Sequence, residues 1–211
     1  DGLLILSLRP TDSDMEQFLR AGVPGVIVDA FHPCLNSIIV DNVAGGRLAT
    51  QHLLDLGHTK IGYISDFRDN PFNLSPVHDR YDGYLRALDE ASIPCRAEYY
   101  REGSLDSQEA RMLAGELLTL DDPPTAIFAY SDSQAIGVLE AARDLGLQVP
   151  TDLSVVGYDD IEASEYMQLT TVRQSLYDSG VNGARLLLDT MKQPFTDPQE
   201  ILLPTELVIR S

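Results

Sequence analysis

The sequence predicts an α/β protein with a mainly parallel sheet, because one helix–glycine–strand unit recurs along the chain. An amphipathic helical stretch ends at Gly22, Gly57 or Gly146, and a β-branched apolar run follows, in the segments EQFLRAGVPGVIVD, QHLLDLGHTKIGYIS and LEAARDLGLQVPTDLSVVGYDD. Glycine just past a helix takes the left-handed conformation at no steric cost and so marks the helix end. Strands that alternate with helices at this spacing are typical of βα units.

Five apolar runs mark the predicted strands. They are LLILSL, GVIV, IGYI, AIFAY and LSVVGY, and they begin at residues 3, 25, 61, 126 and 153. Their continuous apolar character predicts strands that are covered on both faces. The last stretch, EILLPTELVIRS, indicates two short strands around Pro204, a residue that cannot donate to a sheet ladder.

Two helix starts are also visible. The segment SDSQ at residues 131–134 and the segment DSQE at residues 106–109 have the spacing of a capping box. In that motif the first side chain caps the helix and the fourth reaches back to the cap. We therefore expect helices to begin after Ser131 and after Asp106.

The composition limits the possible functions. The 211 residues are 44% hydrophobic and 23% charged, as in ordinary globular proteins, and no apolar run approaches the length of a membrane span. The formal net charge is −18, with lysine only at Lys60 and Lys192. A polyanion binder needs a positive footprint, so this chain alone should bind neither DNA nor an anionic membrane.

The cysteine and histidine pattern predicts neither a disulfide framework nor a metal site. Cys34 and Cys95 stand alone, without CxxC spacing, and the four histidines form no HExxH or HxH motif. Two unclustered cysteines favour a reducing compartment, and a zinc site is not expected. No cofactor motif such as GxGxxG or a P-loop occurs.

Acidic residues follow several predicted strands at their carboxyl ends. Asp66 follows IGYIS, Asp132 follows AIFAYS, and Asp159 and Asp160 follow LSVVGY. Open parallel sheets bind ligands outside this edge. Arg80 comes near the start of the helix after the Asp66 strand, so these acids and one arginine can converge there.

Each of these residues also has a purely structural interpretation. Asp132 can serve only the helix dipole, Asp159 and Asp160 can cap a turn, and Arg80 can form a surface ion pair. Two functional alternatives remain for the cluster. A magnesium site for phosphoryl transfer would need a cation beside the acids, and neither lysine is placed for it. Recognition of a polyhydroxylated ligand by Asp and Arg side chains fits the inventory better.

The sequence lacks the signs of nucleophilic catalysis. No GxSxG elbow occurs, and no histidine follows a predicted strand where it could act as a base. We therefore expect a binding protein and not an enzyme.

The chain resembles the effector-binding domain of LacI/GalR-type bacterial transcription regulators. The segments that carry the resemblance span nearly the whole chain in the order of that family. They are DGLLIL, IIVDNVAGGRLATQHLLDLGHTKIGYIS, RYDGYLRAL, PPTAIFAYSDSQAIGVLEAARDLGLQVPTDLSVVGYDD, LTTVRQS and LLPTELVIRS.

The resemblance implies two Rossmann-like lobes with mainly parallel sheets, as in type I periplasmic binding proteins, and a ligand cleft between them. By that analogy, residues 1–57 and 175–203 form the N-terminal lobe, and residues 58–174 and 204–211 form the C-terminal lobe. The family's usual first two βα units and its DNA-binding head do not precede Asp1, so we expect the N-terminal lobe to be truncated.

The resemblance also implies a function. A small polar effector, often a sugar, binds in the cleft of a cytoplasmic homodimer and controls DNA binding by separate N-terminal heads. A periplasmic-type sugar-binding protein for transport, which has a related fold, is the main alternative.

Family motifs transfer to individual positions of this chain. The arginine of R-x-x-G-[YWF] is Arg80 and the first acid of G-[YF]-D-[DN] is Asp159, and both are expected to contact the effector. The family's N-D pair is Ser131–Asp132 here, where Ser131 replaces the usual Asn with a shorter reach. The other expected effector-binding residues are Phe128, Leu105 and Gln174, with Leu105 at a place where some members have an aromatic residue. Asp160 is expected to be structural.

Overall fold

The computed structural model describes residues 1–8, 10–69, 74–192 and 197–210, and it divides into two compact units. The first unit comprises Asp1–Asp41, Asp69–Pro76 and Ser175–Pro204, and the second comprises Asn42–Arg68, Val77–Gln174 and Thr205–Ser211. The strands are β1 (Leu3–Leu6), β2 (Gly25–Val28), β3 (Asn36–Val40), β4 (Ile61–Ser65), β5 (Tyr100–Glu102), β6 (Ala126–Ala129), β7 (Ser154–Asp159), β8 (Thr170–Gln174), β9 (Glu200–Leu203) and β10 (Thr205–Val208). The helices are α1 (Asp12–Ala21), α2 (Asn42–Asp55), α3 (Ser75–Glu90), α4 (Ser107–Leu118), α5 (Asp132–Asp144), α6 (Glu162–Tyr166) and α7 (Leu176–Lys192), with a short 3₁₀ turn at Ala97–Tyr99.

The first unit is a four-stranded parallel sheet with a helix on each face. The strand order is β1-β2-β3-β9. On one face, Met15 and Phe18 of α1 pack against Ile27 of β2. On the other face, Leu186 and Leu187 of α7 pack against the core of β2 and β3. The predicted α/β class and parallel pairing are confirmed.

Strand β1 departs from the sequence prediction. It lies at the edge of its sheet, and Leu3 and Leu6 are 43% and 58% exposed. The prediction that every apolar run is covered on both faces is therefore wrong for β1 and correct for β2, β4 and β6, whose residues are all buried. Apolar composition alone does not distinguish a central strand from an edge strand.

The second unit contains a six-stranded sheet in the order β10-β8-β7-β6-β4-β5, parallel except for β10. One face carries α4 and α5, whose small and branched side chains pack on Ile127 and Val155. Toward the other face, Tyr63 packs edge-on against Phe128 with ring centroids 5.1 Å apart. The Tyr84 hydroxyl of α3 donates to the carbonyl of Ile61 at 2.9 Å, which joins α3 to β4.

The two strands predicted around Pro204 are present and belong to different sheets. β9 pairs in parallel with β3, and β10 pairs antiparallel with β8. One unit boundary lies after Pro204, and the family analogy implied a boundary after residue 203.

Helix α2 belongs with the second unit, whereas the family analogy assigned residues 1–57 to the first lobe. The reason lies in its glycines. A Cβ atom at Gly45 would lie 2.1 Å from the Tyr158 hydroxyl, and one at Gly46 would lie 2.2 Å from the carbonyl oxygen of Arg80. Helix α2 thus approaches β7 and the backbone of α3 more closely than any side chain would allow.

The helix caps follow the sequence prediction only in part. Ser131 accepts from the amide of Gln134, and Asp106 accepts from the amides of Gln108 and Glu109, so both caps are confirmed. The reciprocal half of the box at Ser131 is replaced, because the side-chain amide of Gln134 donates to the carbonyls of Ser65, Gly103 and Ser104. Gln134 therefore fastens the ends of β4 and β5 to α5. Across the described residues, no helix has the length and apolar character that crossing a bilayer requires.

The close approach of α2 and α3 gives a stability test. We expect Gly46→Ala to destabilise the protein by about 1–3 kcal/mol, because the added methyl group meets backbone atoms that cannot rotate away. Gly115→Ala in α4 is the matched control, since its added methyl group would point into open space and helix propensity favours alanine. Urea denaturation measures both variants, and equal midpoints for the two would contradict the close approach.

Candidate functional site

The candidate site lies at the carboxyl edge of the second sheet. Asp66 follows β4, Tyr130 follows β6, Asp159 is the last residue of β7, and Gln174 is the last residue of β8. These four strands are mutually parallel, so their carboxyl ends share one edge. Open parallel sheets bind their ligands at this edge.

Arg80 of α3 is the buried cation at this edge. Its side chain is 4% exposed, with Nε donating to Asn42 Oδ1 at 2.9 Å and Nη1 donating to the Tyr130 carbonyl at 2.7 Å. The guanidinium carbon lies 3.6 Å from the ring centroid of Tyr158 and 4.4 Å from that of Tyr130. A buried charge is stable only with such partners. These contacts fix Arg80 in one position and join α2, α3 and the end of β6.

Asp159 completes this charge arrangement. Its Oδ1 lies 3.4 Å from Arg80 Nη1 and accepts a 2.6 Å hydrogen bond from Gln174 Nε2. The side chain remains 23% exposed, so it can reach a solvent-borne ligand. Its φ of +114° and the φ of +57° at Asp160 are rare for residues other than glycine. Strained backbone of this kind is concentrated at functional sites.

Gln174 contributes a buried acceptor. The residue is 8% exposed, and within the described part of the chain its amide oxygen has no hydrogen-bond donor. Buried polar atoms are nearly always paired, so an unpaired acceptor beside Asp159 suits a ligand that donates a hydrogen bond.

Asp160 has a different environment from its neighbour. Its two oxygens accept from Arg210 Nη2 and Arg173 Nε, each at 2.6 Å. Burial opposes ionisation of this carboxyl, but the hydrogen bonds and charges of Arg210 and Arg173 outweigh it and lower the pKa of Asp160 below its ordinary value. Asp160 thus ties the turn after β7 to β8 and to the end of the chain.

Asp132 and Ser131 face the protein interior. Asp132 is fully buried, and its carboxylate accepts from Thr171 Oγ1 at 2.5 Å, Ser164 Oγ at 2.6 Å and the Ile161 amide at 2.9 Å. Desolvation raises the pKa of this carboxyl above its ordinary value, although the three donors oppose the shift. The Ser131 hydroxyl accepts from the Gln134 amide as the helix cap.

Phe128 and Leu105 have contrasting environments. Phe128 is fully buried, in contact with Tyr63 inside the second unit. Leu105 is 49% exposed in the loop between β5 and α4. The structure therefore brings Arg80, Asp159 and Gln174 together, and it gives Phe128 a packing role in the sheet.

Known proteins resemble this chain over its whole length. A profile of the periplasmic binding protein-like domain family matches residues 50–211. The HTH-type transcriptional repressor PurR of Actinobacillus pleuropneumoniae serotype 3 (strain JL03) is 36% identical over 216 residues, which cover all of this chain and 63% of PurR. A solved LacI family transcriptional regulator from Enterococcus faecium with bound ribose is 30% identical with a TM-score of 0.85, over 99% of this chain and 77% of that one. The chain belongs to the LacI/GalR family.

A further solved relative of this LacI/GalR-family chain is the transcriptional regulator CelR in complex with cellobiose. It is 32% identical with a TM-score of 0.88, and the match covers all of this chain and 65% of CelR. The present chain therefore spans 63% of the length of PurR and 65% of that of CelR, and it has a periplasmic-binding-protein-like fold.

Three residues of the site of this LacI/GalR-family chain were not predicted from the sequence. Asn42, Tyr130 and Tyr158 hold the guanidinium of Arg80. Each of the two tyrosines ends a predicted strand, and that position could have suggested their place at the edge. Asn42 and Arg80 are 38 positions apart, so no local pattern indicated their contact. In the described ranges, no group of three or more His, Cys, Asp or Glu side chains is placed to hold a metal ion.

The contacts of the buried Arg80 predict a contribution to folding stability. We expect Arg80→Ala to reduce the free energy of unfolding by about 3 kcal/mol, because it leaves Asp159 without its cation and removes the joint between α2 and α3. Arg111→Ala is the control, since Arg111 pairs with Asp144 at the surface and its loss should cost under about 1 kcal/mol. Chemical denaturation of both variants decides, and a loss at Arg80 no greater than at Arg111 would contradict the central role of Arg80.

Proposed function

We propose that this chain is the sensor domain of a LacI/GalR-type transcription regulator and binds a small, sugar-like metabolite at the carboxyl edge of its second sheet. The observation that carries the proposal is the linked set of Arg80, Asp159 and Gln174, with Gln174 Nε2 2.6 Å from Asp159 Oδ1 and the Gln174 oxygen buried without a donor in the described chain. Carboxylate and amide oxygens accept strongly from hydroxyl groups, which a sugar supplies in quantity.

The charge of the site favours an uncharged effector. Asp159 already lies beside the Arg80 guanidinium, and the remaining contacts of that guanidinium include the Asn42 oxygen and the Tyr130 carbonyl. A phosphorylated ligand would compete with Asp159 for the guanidinium and would approach a chain with a net charge of −18. A neutral polyol avoids both costs. The bound cellobiose and ribose of the two solved relatives support the same class of ligand for this chain.

The proposal divides the expected site residues into those that contact the effector and those that support the contacting residues. We propose that Arg80, Asp159 and Gln174 form the contact set and that Leu105, exposed in the loop between β5 and α4, adds an apolar contact. Ser131 and Phe128 support the edge from inside, since one caps α5 and the other packs in the sheet. No bound cofactor or metal enters the proposal.

In the whole protein, we propose that a separate helix-turn-helix domain contacts DNA, as the name of the related repressor indicates. The protein would act as a cytoplasmic, non-enzymatic homodimer of two-lobed subunits. An effector can regulate such a protein only by binding one of its conformations more tightly than the other. The acidic charge of the present chain fits a sensor that does not itself bind DNA.

Melting curves with a panel of sugars, sugar phosphates, nucleosides and amino acids test the ligand class. A ligand at about 100 times its dissociation constant adds roughly 2.7 kcal/mol to the folded state, and we expect a neutral sugar to give such a shift. A shift given only by sugar phosphates or amino acids would contradict the proposal.

Substitution tests the assignment of the site. We expect Asp159→Asn and Gln174→Leu each to weaken binding of the stabilising sugar roughly tenfold to a hundredfold, the effect of losing a hydrogen bond that involves a charged or buried group. Asp144→Asn is the control, because Asp144 forms only a surface pair with Arg111 in the described structure. Titration calorimetry measures all three, and unchanged affinity in both site variants would remove the site from this edge.

A DNA-binding assay tests the division of labour. Because of its net charge of −18, the chain should not retard duplex DNA in a gel at physiological salt. A sequence-specific shift by this chain alone would place DNA contacts within it and contradict the proposal.

A further inference from the structure

Asp132 lies inside the second unit, where a ligand in solvent does not reach it. It is the first residue of α5 and is fully buried. Its Oδ2 accepts from the Ile161 amide and the Ser164 hydroxyl, and its Oδ1 accepts from the Thr171 hydroxyl. Both carboxylate oxygens are thus engaged by the chain itself, and neither lies at the surface.

The three donors all follow the Asp159–Asp160 turn in the chain. Ile161 follows Asp160 directly, Ser164 lies in α6, and Thr171 lies in β8, which pairs with β7. The turn needs such a tether, because Asp159 and Asp160 have φ angles of +114° and +57°, and positive φ is costly for residues with a Cβ atom. Three charge-assisted hydrogen bonds to one carboxylate can offset that cost.

The sequence of β7 makes room for this carboxylate. A Cβ atom at Gly157 would lie 2.2 Å from Asp132 Oδ1, and the side chains of Leu169 and Ala135 lie just beyond it, at 3.1 Å and 3.2 Å. Only glycine at position 157 allows Asp132 to cross the end of β7 and reach Thr171. The contact of Asp132 with Thr171 therefore depends on Gly157, although Gly157 and Asp132 are 25 residues apart in the sequence.

We propose that Asp132 is a positioning residue, which holds the Asp159–Asp160 turn so that Asp159 faces Arg80 and Gln174, and that it does not contact the effector. The position of Asp159 is a property of the free protein, while its consequence for affinity rests on the proposed function. Asp132→Ala removes all three hydrogen bonds. Asp132→Asn keeps an acceptor for Ile161 and Ser164, and its amide group can donate to the Thr171 hydroxyl, so it should largely restore the turn.

The test is an NMR comparison of the whole chain without ligand. The Gln174 side-chain amide, which donates to Asp159, reports the position of Asp159, and the Gln51 side-chain amide, which donates to Asp55 on the surface of α2, is the control. In Asp132→Ala we expect the Gln174 signals to move to the shifts of a solvent-exposed amide, the Gln51 signals to stay, and Ile161 amide exchange to accelerate roughly tenfold to a hundredfold. Asp132→Asn should keep the wild-type Gln174 signals.

Two further variants keep the test decisive if Asp132→Ala does not fold. Gly157→Ala should displace the carboxylate by steric contact and shift the Gln174 signals, and Ser164→Ala removes one donor and should give a smaller shift in the same direction. Unchanged Gln174 signals in every folded variant would overturn the positioning role.

Measured affinities for cellobiose and ribose distinguish a failure of the positioning role of Asp132 from a failure of the proposed function. If Asp132 acts through Asp159, Asp132→Ala should weaken sugar binding in the wild-type background and have no further effect in the Asp159→Asn background. Additive losses would instead indicate direct contact and overturn the inference. If neither sugar binds the wild type while the Gln174 signals behave as expected, the choice of ligand fails and the positioning role stands.

Discussion

The burial of one guanidinium constrains most of the second unit. A charge with a side chain that is 4% exposed is tolerated only when acceptors surround it, and Arg80 obtains them from three separate segments: Asn42 at the start of α2, the carbonyl of Tyr130 after β6, and Asp159 at the end of β7. The carboxyl edge of a parallel sheet is where such segments can meet, because successive strands end there and their loops diverge. Helix α2, helix α3 and two strand ends are consequently fixed by the same group.

Glycines make this arrangement sterically possible. Gly45 admits the Tyr158 hydroxyl, Gly46 admits the backbone oxygen of Arg80, and Gly157 admits the carboxylate of Asp132. Each lies in a helix or strand, where glycine costs about 0.5–1 kcal/mol relative to alanine. The cost is offset by what the missing side chains allow: helix α2 comes within reach of Arg80, and Asp132 crosses β7 to reach β8. The close packing at this edge and the burial of its charged groups therefore depend on the same glycines.

The sequence predicted the local features of this protein better than its tertiary contacts. The strands after Gly22, Gly57 and Gly146 and the caps at Ser131 and Asp106 depend on neighbouring residues, and the structure has them. Its failures required information from elsewhere in the chain. The exposure of β1 depends on its edge position, and the side chain of Gln134 is drawn away from its cap by carbonyls 30 or more residues earlier. For the candidate site, strand-end position suggested Asp159 and the family resemblance added Gln174, but neither could indicate that Asp132, also at a strand end, points inward.

The two adjacent acids at the end of β7 have different environments within one turn. Asp160 lies between Arg173 and Arg210 and is satisfied entirely within the protein, whereas Asp159 shares one oxygen with Arg80 and Gln174 and remains partly exposed. With ordinary strand geometry, consecutive side chains point to opposite faces, and one of the pair would enter the core as an unpaired charge. Positive φ at both residues turns the chain, so that neither carboxylate enters the core unpaired. Asp159 lies beside Arg80, and Asp160 lies between Arg173 and Arg210. The strained turn is thus the means by which a strongly acidic chain keeps one carboxylate partly exposed at this edge while the next is paired with two arginines.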